Sequence, residues 1–311
     1  MQEYGKITWI IGDIHGMYDP LRVLIDNLDD ELLDKFVFVG DYIDYGPSSK
    51  EVLDLIMGLG DKAVCLMGNH EYLLLETLYD EQHRNSFGYA VWQNNGAERT
   101  IRSFGCQTFQ EFEQKFEQKY ADFLLNLNLF HLETVTCVDK EFKFLITHAG
   151  IMPNIPLEEQ LAVNSYHDFK QFLEEKRVWI EDAFIWVRKD FLTCDPDKWS
   201  EYMIIHGHTP THLLNRYIPG FSSDELEDLP YLRKHPDNSE CIVSIDIDTG
   251  AAFGNCLTAI GLMPTKDGDR SYPTLIIKQL HIKEGYYRRI PIHSRLIELE
   301  CDCVSWQDDA M

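Results

Sequence analysis

The 311-residue chain sets 52 acidic residues against 28 basic ones, for a formal net charge of −24, and is 44% hydrophobic and 12% aromatic. That is ample material for a buried core, as one large domain or two smaller ones, while the acidic balance excludes the basic footprint of a protein that binds long DNA or RNA. No apolar run is long enough to span a bilayer and the N-terminal residues have no secretory pattern, so a cytoplasmic protein without membrane contact is expected.

The first apolar run, Ile7-Thr-Trp-Ile-Ile-Gly-Asp-Ile-His-Gly16, has the composition of a buried strand and ends on Asp13 and His15. Residues Tyr18 to Leu33 then place Leu21, Val23, Leu24 and Leu28 at helical spacing. A second strand, Phe36-Val-Phe-Val39, stops on Gly40-Asp41 and delivers Asp41 and Asp44 ahead of the turn residues Gly46 and Pro47. Ser48 to Leu59 reads as a helix with a Ser-Ser-Lys-Glu cap and Val52, Leu53, Leu55 and Ile56 on one face. A third run, Ala63-Val-Cys-Leu-Met-Gly-Asn-His-Glu71, delivers Asn69, His70 and Glu71. The β-α-β-α-β order predicts right-handed crossovers and a parallel sheet with all three clusters at one edge.

From Glu71 to about Asn128 the texture is helical, acidic and aromatic, with a turn at Trp92-Gln-Asn-Asn-Gly96. A helical subdomain over 72–130, flanking the site, is expected. Two further apolar runs, Phe142 to Gly150 and Met203 to Pro210, end on His148 and on His206 and His208. On a continuous strand His206 and His208 share a face, and His206 is assigned a supporting or buried role. Segment 211–240 reads as a surface loop insertion with one short helix. Strands resume at Cys241 to Asp248 and Leu275 to Ile282, predicted to build a second sheet. The eight cysteines are scattered except Cys301 and Cys303, which argues against a secreted disulfide framework. Those two read as incidental thiols near a frayed terminus.

Any one strand-ending acid is explained by a solvated turn. Five apolar runs in order, each ending on Asp, His or Asn, point instead to a metal centre. Carboxylates leaving the end of a core strand need a cation or a proton, because unpaired charge there is costly. Mixed imidazole and carboxylate donors suit manganese, iron, zinc or cobalt better than calcium.

Gly12-Asp-Ile-His-Gly16, Gly40-Asp-Tyr-Ile-Asp44, Gly68-Asn-His-Glu71, His148-Ala-Gly150 and Gly207-His208 resemble, in order, the signature of the phosphoprotein phosphatase (PPP) family. Ile245 to Ala259 and Trp92 to Gly96 are similar to its bacterial branch, which includes diadenosine tetraphosphatases. The resemblance spans about Ile7 to Ile260. It implies an α/β fold, the calcineurin-like metallophosphoesterase four-layer sandwich of two mixed sheets flanked by helices, as a single domain over 1–311. It also implies two divalent ions, manganese first with iron, zinc or cobalt as alternatives. Asp13, His15 and Asp41 would hold one; Asp41, Asn69, His148 and His208 would hold the other. An acidified water between the ions would attack phosphorus, with His70 as general acid and Asp44 orienting it. Arg188, in a Trp-x-Arg feature with Trp186, would grip substrate phosphate.

The chain departs from the family at Tyr45, where the common pattern is Asp-Arg-Gly, and at Met67, where protein phosphatases often have arginine. Tyr45 is therefore expected to bind substrate through one hydroxyl donor in place of a bidentate fork. The expected activity is hydrolysis of phosphate monoesters, in phosphorylated proteins or small phosphoesters. The alternative is a dinucleoside polyphosphate hydrolase or phosphodiesterase, and a third reading is an inactive phosphate-binding protein. The sequence carries no signal for an oligomeric state.

Overall fold

The computed structural model describes residues 3–28, 31–79, 88–137, 140–199, 201–222, 226, 228–267, 270–282 and 293–298; the Cys301/Cys303 pair lies outside them. In chain order, β1 (Glu3–Tyr4) precedes the predicted crossover unit. That unit is β2 (Ile7–Ile11), α1 (Tyr18–Ile25), β3 (Leu33–Phe38), α2 (Ser49–Gly58) and β4 (Ala63–Cys65). Its strands pair parallel, β2 to β3 to β4. Helices α3 (Asn69–Tyr79), α4 (Gly88–Asn94), α5 (Ala97–Ser103), α6 (Phe109–Lys115) and α7 (Gln118–Leu125) occupy the segment expected to be helical. Then come β5 (Phe130–Cys137), β6 (Lys140–Thr147), α8 (Leu157–Leu161), α9 (Tyr166–Lys176), α10 (Lys189–Thr193) and β7 (Met203–His206). The series ends with β8 (Tyr231–His235), β9 (Asn238–Asp246), β10 (Cys256–Asp267), β11 (Arg270–His281) and β12 (His293–Glu298).

Two mixed sheets result. One runs β12-β11-β10-β2-β3-β4, with β1 also on β10; the other runs β5-β6-β7-β9-β8. Period-2 alternation decides the layering. Ile10, Val37 and Val39 turn to the seam between the sheets and meet Ile146, Ile205 and Ile245 from the second sheet. Their neighbours Trp9, Phe36 and Phe38 turn the other way, onto Leu21 and Leu24 of α1 and Val52 and Leu53 of α2. Leu145 and Ile204 face outward from the second sheet onto Phe191 and Leu192 of α10. Each such fully buried side chain contributes about 1.5–3 kcal/mol, and a one-residue slip in register would exchange the faces. The outcome is the expected α/β arrangement, two mixed sheets between helices. Among the described residues no helix is long and apolar enough to cross a membrane.

Four local expectations are corrected. β8 and β9 form an antiparallel hairpin across Pro236-Asp237, so the last third of the expected surface loop is a strand hairpin. Leu275 to Ile282 belongs to β11, which extends the first sheet by pairing with β10 and does not join the second. The short helix of that segment is a 3-10 turn over Thr211–Arg216. Ser48 makes no side-chain cap at α2. Its neighbour Ser49 instead turns inward, where its hydroxyl accepts from the Asp44 amide at 3.1 Å.

Candidate active site

The parallel strands β2, β3 and β4 of one sheet and β6, β7 and β9 of the other all release their chains toward a common rim. Asp41 is the centre of what gathers there. His15 Nε2 lies 3.5 Å from Asp41 Oδ2, and His148 Nε2 lies 3.5 Å from Asp41 Oδ1. Two groups of potential metal donors share that carboxylate: His15, Asp41 and His70, and Asp41, His148 and His208, the donor atoms of each group lying within 4.8 Å of one another. Asn69 joins through its Oδ1, 3.1 Å from His148 Nε2. Asp13 stands beside the second group, its two carboxylate oxygens each 3.1 Å from the His208 amide.

What the other nitrogens of the imidazoles do decides which lone pairs face the site. His15 Nδ1 faces Ile43 O at 2.9 Å, His148 Nδ1 faces Val39 O at 3.0 Å, and His208 Nε2 faces Trp186 O at 2.9 Å. A carbonyl only accepts, so each of these nitrogens carries the proton. That leaves His15 Nε2, His148 Nε2 and His208 Nδ1 with free lone pairs. Burial, then the neighbouring His70, holds His15 down at about 3, and burial likewise depresses His148 and His208, which keeps the rings neutral. Burial raises Asp13 and Asp41 well above the carboxylate range, reinforced by Asp248 at Asp13 and by Glu71 at Asp41. Neutral nitrogens around crowded buried carboxylates are a donor set that divalent cations fit.

Holding these groups strains the backbone. Seven non-glycine residues have positive φ among those described, and five are here: His15, Asp41, Asp44, Tyr45 and His208. At His208 the strain also corrects an expectation. Strand β7 ends at His206 and the chain turns at φ 70°, so the two histidines do not share a face. His208 packs against His148 with ring centroids 4.9 Å apart, whereas the buried His206 ring meets Phe191 at 5.1 Å.

Glu71, given no role in sequence, braces the turn. Its buried carboxylate accepts from the amides of Asp41 and Tyr42, each at 2.8 Å, and of Gly68 at 3.0 Å. The first turn of α3 adds the His70 amide, donating to Asp41 Oδ1 at 3.1 Å. Gly68 is needed for this approach, because a Cβ there would overlap Asp41 Oδ1.

His70 and Asp44 form a close side-chain pair, Nδ1 to Oδ2 at 2.7 Å. This leaves His70 Nε2 facing Asp41 Oδ2 at 3.9 Å. Geometry alone thus puts His70 among the donors as well as beside Asp44. The helical segment fixes Asp44: Trp92 Nε1 donates to Oδ2 at 3.0 Å, and the Thr100 hydroxyl donates to Oδ1 at 2.6 Å. Trp92 lies in α4, so the predicted turn begins only at Asn95. Burial lifts Asp44 to about 8, against the hydrogen bonds from Thr100 and Trp92, and burial with Arg188 lowers His70 to about 3.

Tyr45 and Arg188 both reach the site. The Tyr45 ring stands edge-on to His15 at 4.9 Å and to His70 at 5.2 Å, and is 38% exposed. Its hydroxyl, expected to serve phosphate, donates to Asn95 Oδ1 at 3.3 Å. The Arg188 guanidinium lies 5.7 Å from the Tyr217 ring centroid, and its charge acts on Tyr45, His70, His208 and Asp248. Asp248, which sequence reasoning quoted but gave no part, is pushed up to about 7 by burial and repels Asp13 and Asp41. Trp92 and Asp248 were legible as motif positions; Thr100 and Ser49 carried no signal.

The family model for calcineurin-like phosphoesterases matches residues 8–237. The symmetrical bis(5'-nucleosyl)-tetraphosphatase of Klebsiella pneumoniae (strain 342) is 32% identical over 152 residues, 49% of this chain and 45% of that protein. Its counterpart from Baumannia cicadellinicola subsp. Homalodisca coagulata is 30% identical over 159 residues, 51% of this chain and 47% of that protein. The chain spans about half the length of these curated relatives. Among solved structures, a metallophosphoesterase from Sphaerobacter thermophilus aligns with TM-score 0.44 at 12% identity over 89% of each chain. A protein serine/threonine phosphatase from Saccharomyces cerevisiae aligns with TM-score 0.43 at 14% identity over 92% of this chain and 82% of that one. With a family match over most of its length and the ordered donor clusters at one rim, the chain belongs to the calcineurin-like phosphoesterase family.

Proposed function

We propose that this chain is a two-metal hydrolase of dinucleoside polyphosphates that splits the phosphoanhydride chain symmetrically. The observation that carries the choice of substrate is the aromatic pair at the mouth. Phe253 is 56% exposed, and its ring lies 6.5 Å from that of Tyr45 at an inclination of 33°. An exposed aromatic pair beside a phosphate-cleaving centre offers a stacking face to a nucleobase, worth about 1–3 kcal/mol per base. A phosphoserine or phosphothreonine side chain has no ring of its own to place there. The relatives named as symmetrical bis(5'-nucleosyl)-tetraphosphatases support the same reading, which displaces the phosphoprotein monoesterase as first choice.

His15, Asp41, Asn69, His148 and His208, with Asp13, would hold the two ions, manganese first among those the donors suit. Bound there, the ions supply a nucleophile at neutral pH and offset charge on the reacting phosphate. Arg188 adds a bidentate grip on the phosphate chain. Water adds at one phosphorus, the P–O bond to the bridging oxygen breaks, and that oxygen leaves with the second nucleoside diphosphate. His70 Nε2 faces the site and gives the leaving oxygen its proton. Asp44 on Nδ1 holds the ring in place, and its raised value keeps a second proton in the pair through neutral pH. A cytoplasmic setting accords with the free thiols Cys65, Cys106, Cys137, Cys194, Cys241 and Cys256.

The test is a panel of diadenosine tetraphosphate, an alkyl phosphate and a phosphopeptide with manganese added, products resolved by chromatography. ADP as the sole nucleotide product, and a specificity constant highest for the tetraphosphate, is the expected result. Phe253→Ala should lower that constant about 5–150-fold, the equivalent of one lost stack, and leave the alkyl phosphate unchanged. A phosphopeptide preferred over the dinucleotide would overturn the assignment.

A further inference from the structure

Among the described residues a third group of metal-ligating side chains lies outside the site. Asp228, Cys256 and His281 offer a carboxylate oxygen, a thiol sulfur and an imidazole nitrogen, all within 4.8 Å of one another. Cys256 opens β10 and His281 closes β11, and the two are direct cross-strand partners, with Sγ 3.1 Å from Nδ1. Asp228 arrives from the segment ahead of β8. It adopts φ 65°, uncommon for a residue with a side chain, and Gln279 Nε2 donates to its carbonyl at 2.8 Å. Cys256 is buried, and the other two are half-buried.

We propose that Asp228, Cys256 and His281 form a structural site for one zinc ion, separate from the catalytic pair of ions, that clamps the segment before β8 to the end of the β10–β11 hairpin.

The chemistry selects the metal. Thiolate, imidazole and carboxylate together are donors that zinc accepts at tetrahedral positions, the fourth going to water. Calcium and magnesium, which take oxygen ligands, are excluded by the sulfur and the nitrogen. A plain thiol–imidazole hydrogen bond accounts for Cys256 and His281 but not for the carboxylate set beside them. Charge brought against a buried thiol is costly without a cation to meet it.

The clamp has a consequence for the mouth of the site. Cys256 follows the turn Ala251–Phe253 by three residues. His212, on which Asp228 also acts, meets the Phe253 ring edge-on at 5.1 Å. An ion at Asp228, Cys256 and His281 therefore steadies the corner that carries Phe253.

Sulfur makes the site separable by experiment, since none of the catalytic donors is a thiol. Protein stripped with chelator is titrated with cobalt(II) and followed in the near ultraviolet. A thiolate-to-cobalt charge-transfer band that saturates at one equivalent per chain is expected. It should vanish in Cys256→Ser, weaken severely in His281→Gln and Asp228→Asn, and persist in Asp41→Asn, which damages only the catalytic pair. Zinc should raise the melting temperature of Asp41→Asn but not of Asp41→Asn combined with His281→Gln, a reading that stands even if Cys256→Ser folds poorly. Absence of the band at saturating cobalt would overturn the proposal. So would a band that survives His281→Gln and Asp228→Asn undiminished, since a lone thiol would then be binding the ion.

Discussion

Asp44 shows how much of the chemistry rests on residues that never meet the substrate. Its carboxylate is buried, bonded to His70 on one side and held by Trp92 and Thr100 on the other. His70→Asn should slow hydrolysis of an alkyl phosphate about 10²–10⁴-fold, the usual worth of a general acid, with metal content unchanged by elemental analysis. The loss should be smaller for a phosphoanhydride, whose leaving oxygen needs less help from an acid. Loss of the ions in that variant would instead make His70 a ligand, as its place in the first donor group allows. Trp92→Phe removes the indole hydrogen bond to the largely neutral Asp44 carboxyl, about 0.5–1.5 kcal/mol, and should cost about 2–10-fold in turnover. In a His70→Asn background the same change should cost nearly nothing, because it acts only through the pair. Additive losses would show that Trp92 serves some other purpose.

At the scale of elements, the turn after β3 is the part under most constraint. Asp41, Asp44 and Tyr45 all sit at positive φ within five residues, and that conformation persists because α3 and α5 over-determine it. Glu71 collects amides from the turn, and Gly96, itself at φ 98°, lets α5 approach so closely that a Cβ would press on the Tyr45 amide. Gly68→Ala should displace Asp41 Oδ1 and weaken metal binding about 10–100-fold, as losses of supporting contacts around a metal do. Isothermal titration of the chelated protein with manganese measures it directly; affinity equal to the parent protein would show that the turn relaxes around the methyl group.

For the molecule as a whole, the buried acids make stability depend on the ions. Burial raises Glu71 and Asp248 to about 7 and Asp44 to about 8, whereas the same groups titrate near pH 4 in the unfolded chain. From about pH 6.5, above which the buried histidines are largely neutral in both states, up to about pH 8, the folded, metal-free protein holds more protons than the unfolded one; at lower pH the depressed His15, His70, His148 and His208 oppose the acids. Its stability therefore falls as pH rises from about 6.5 to about 8. Bound cations favour the ionised forms and reverse the trend. Melting curves in chelator should show a lower midpoint at about pH 8 than at about pH 6.5, and manganese should restore most at the higher pH. A midpoint indifferent to pH in chelator would mean that these carboxylates are not uncompensated in the metal-free fold.

The strand-ending Asp, Asn and His residues that gather at the rim, their order and the crossover unit were all legible in the sequence. Strand-ending Asp and His residues follow runs of buried apolar side chains, and both signals are local in the chain. Trp92 and Gly96 were visible as a motif, but nothing in their spacing says that Trp92 holds Asp44, 48 residues away. The pairing of β11 with β10, the β8–β9 hairpin and the turn at His208 were likewise beyond reach, since each is settled by which strand finds a free edge or by a strained φ that neighbours impose. The same holds for the placing of Asp228 against Cys256 and His281, and of Phe253 beside Tyr45. Composition and periodicity state what each segment buries and what it delivers at its end. Only packing decides which distant side chains then meet, because those contacts depend on the closure of two sheets on one another and not on any interval along the chain.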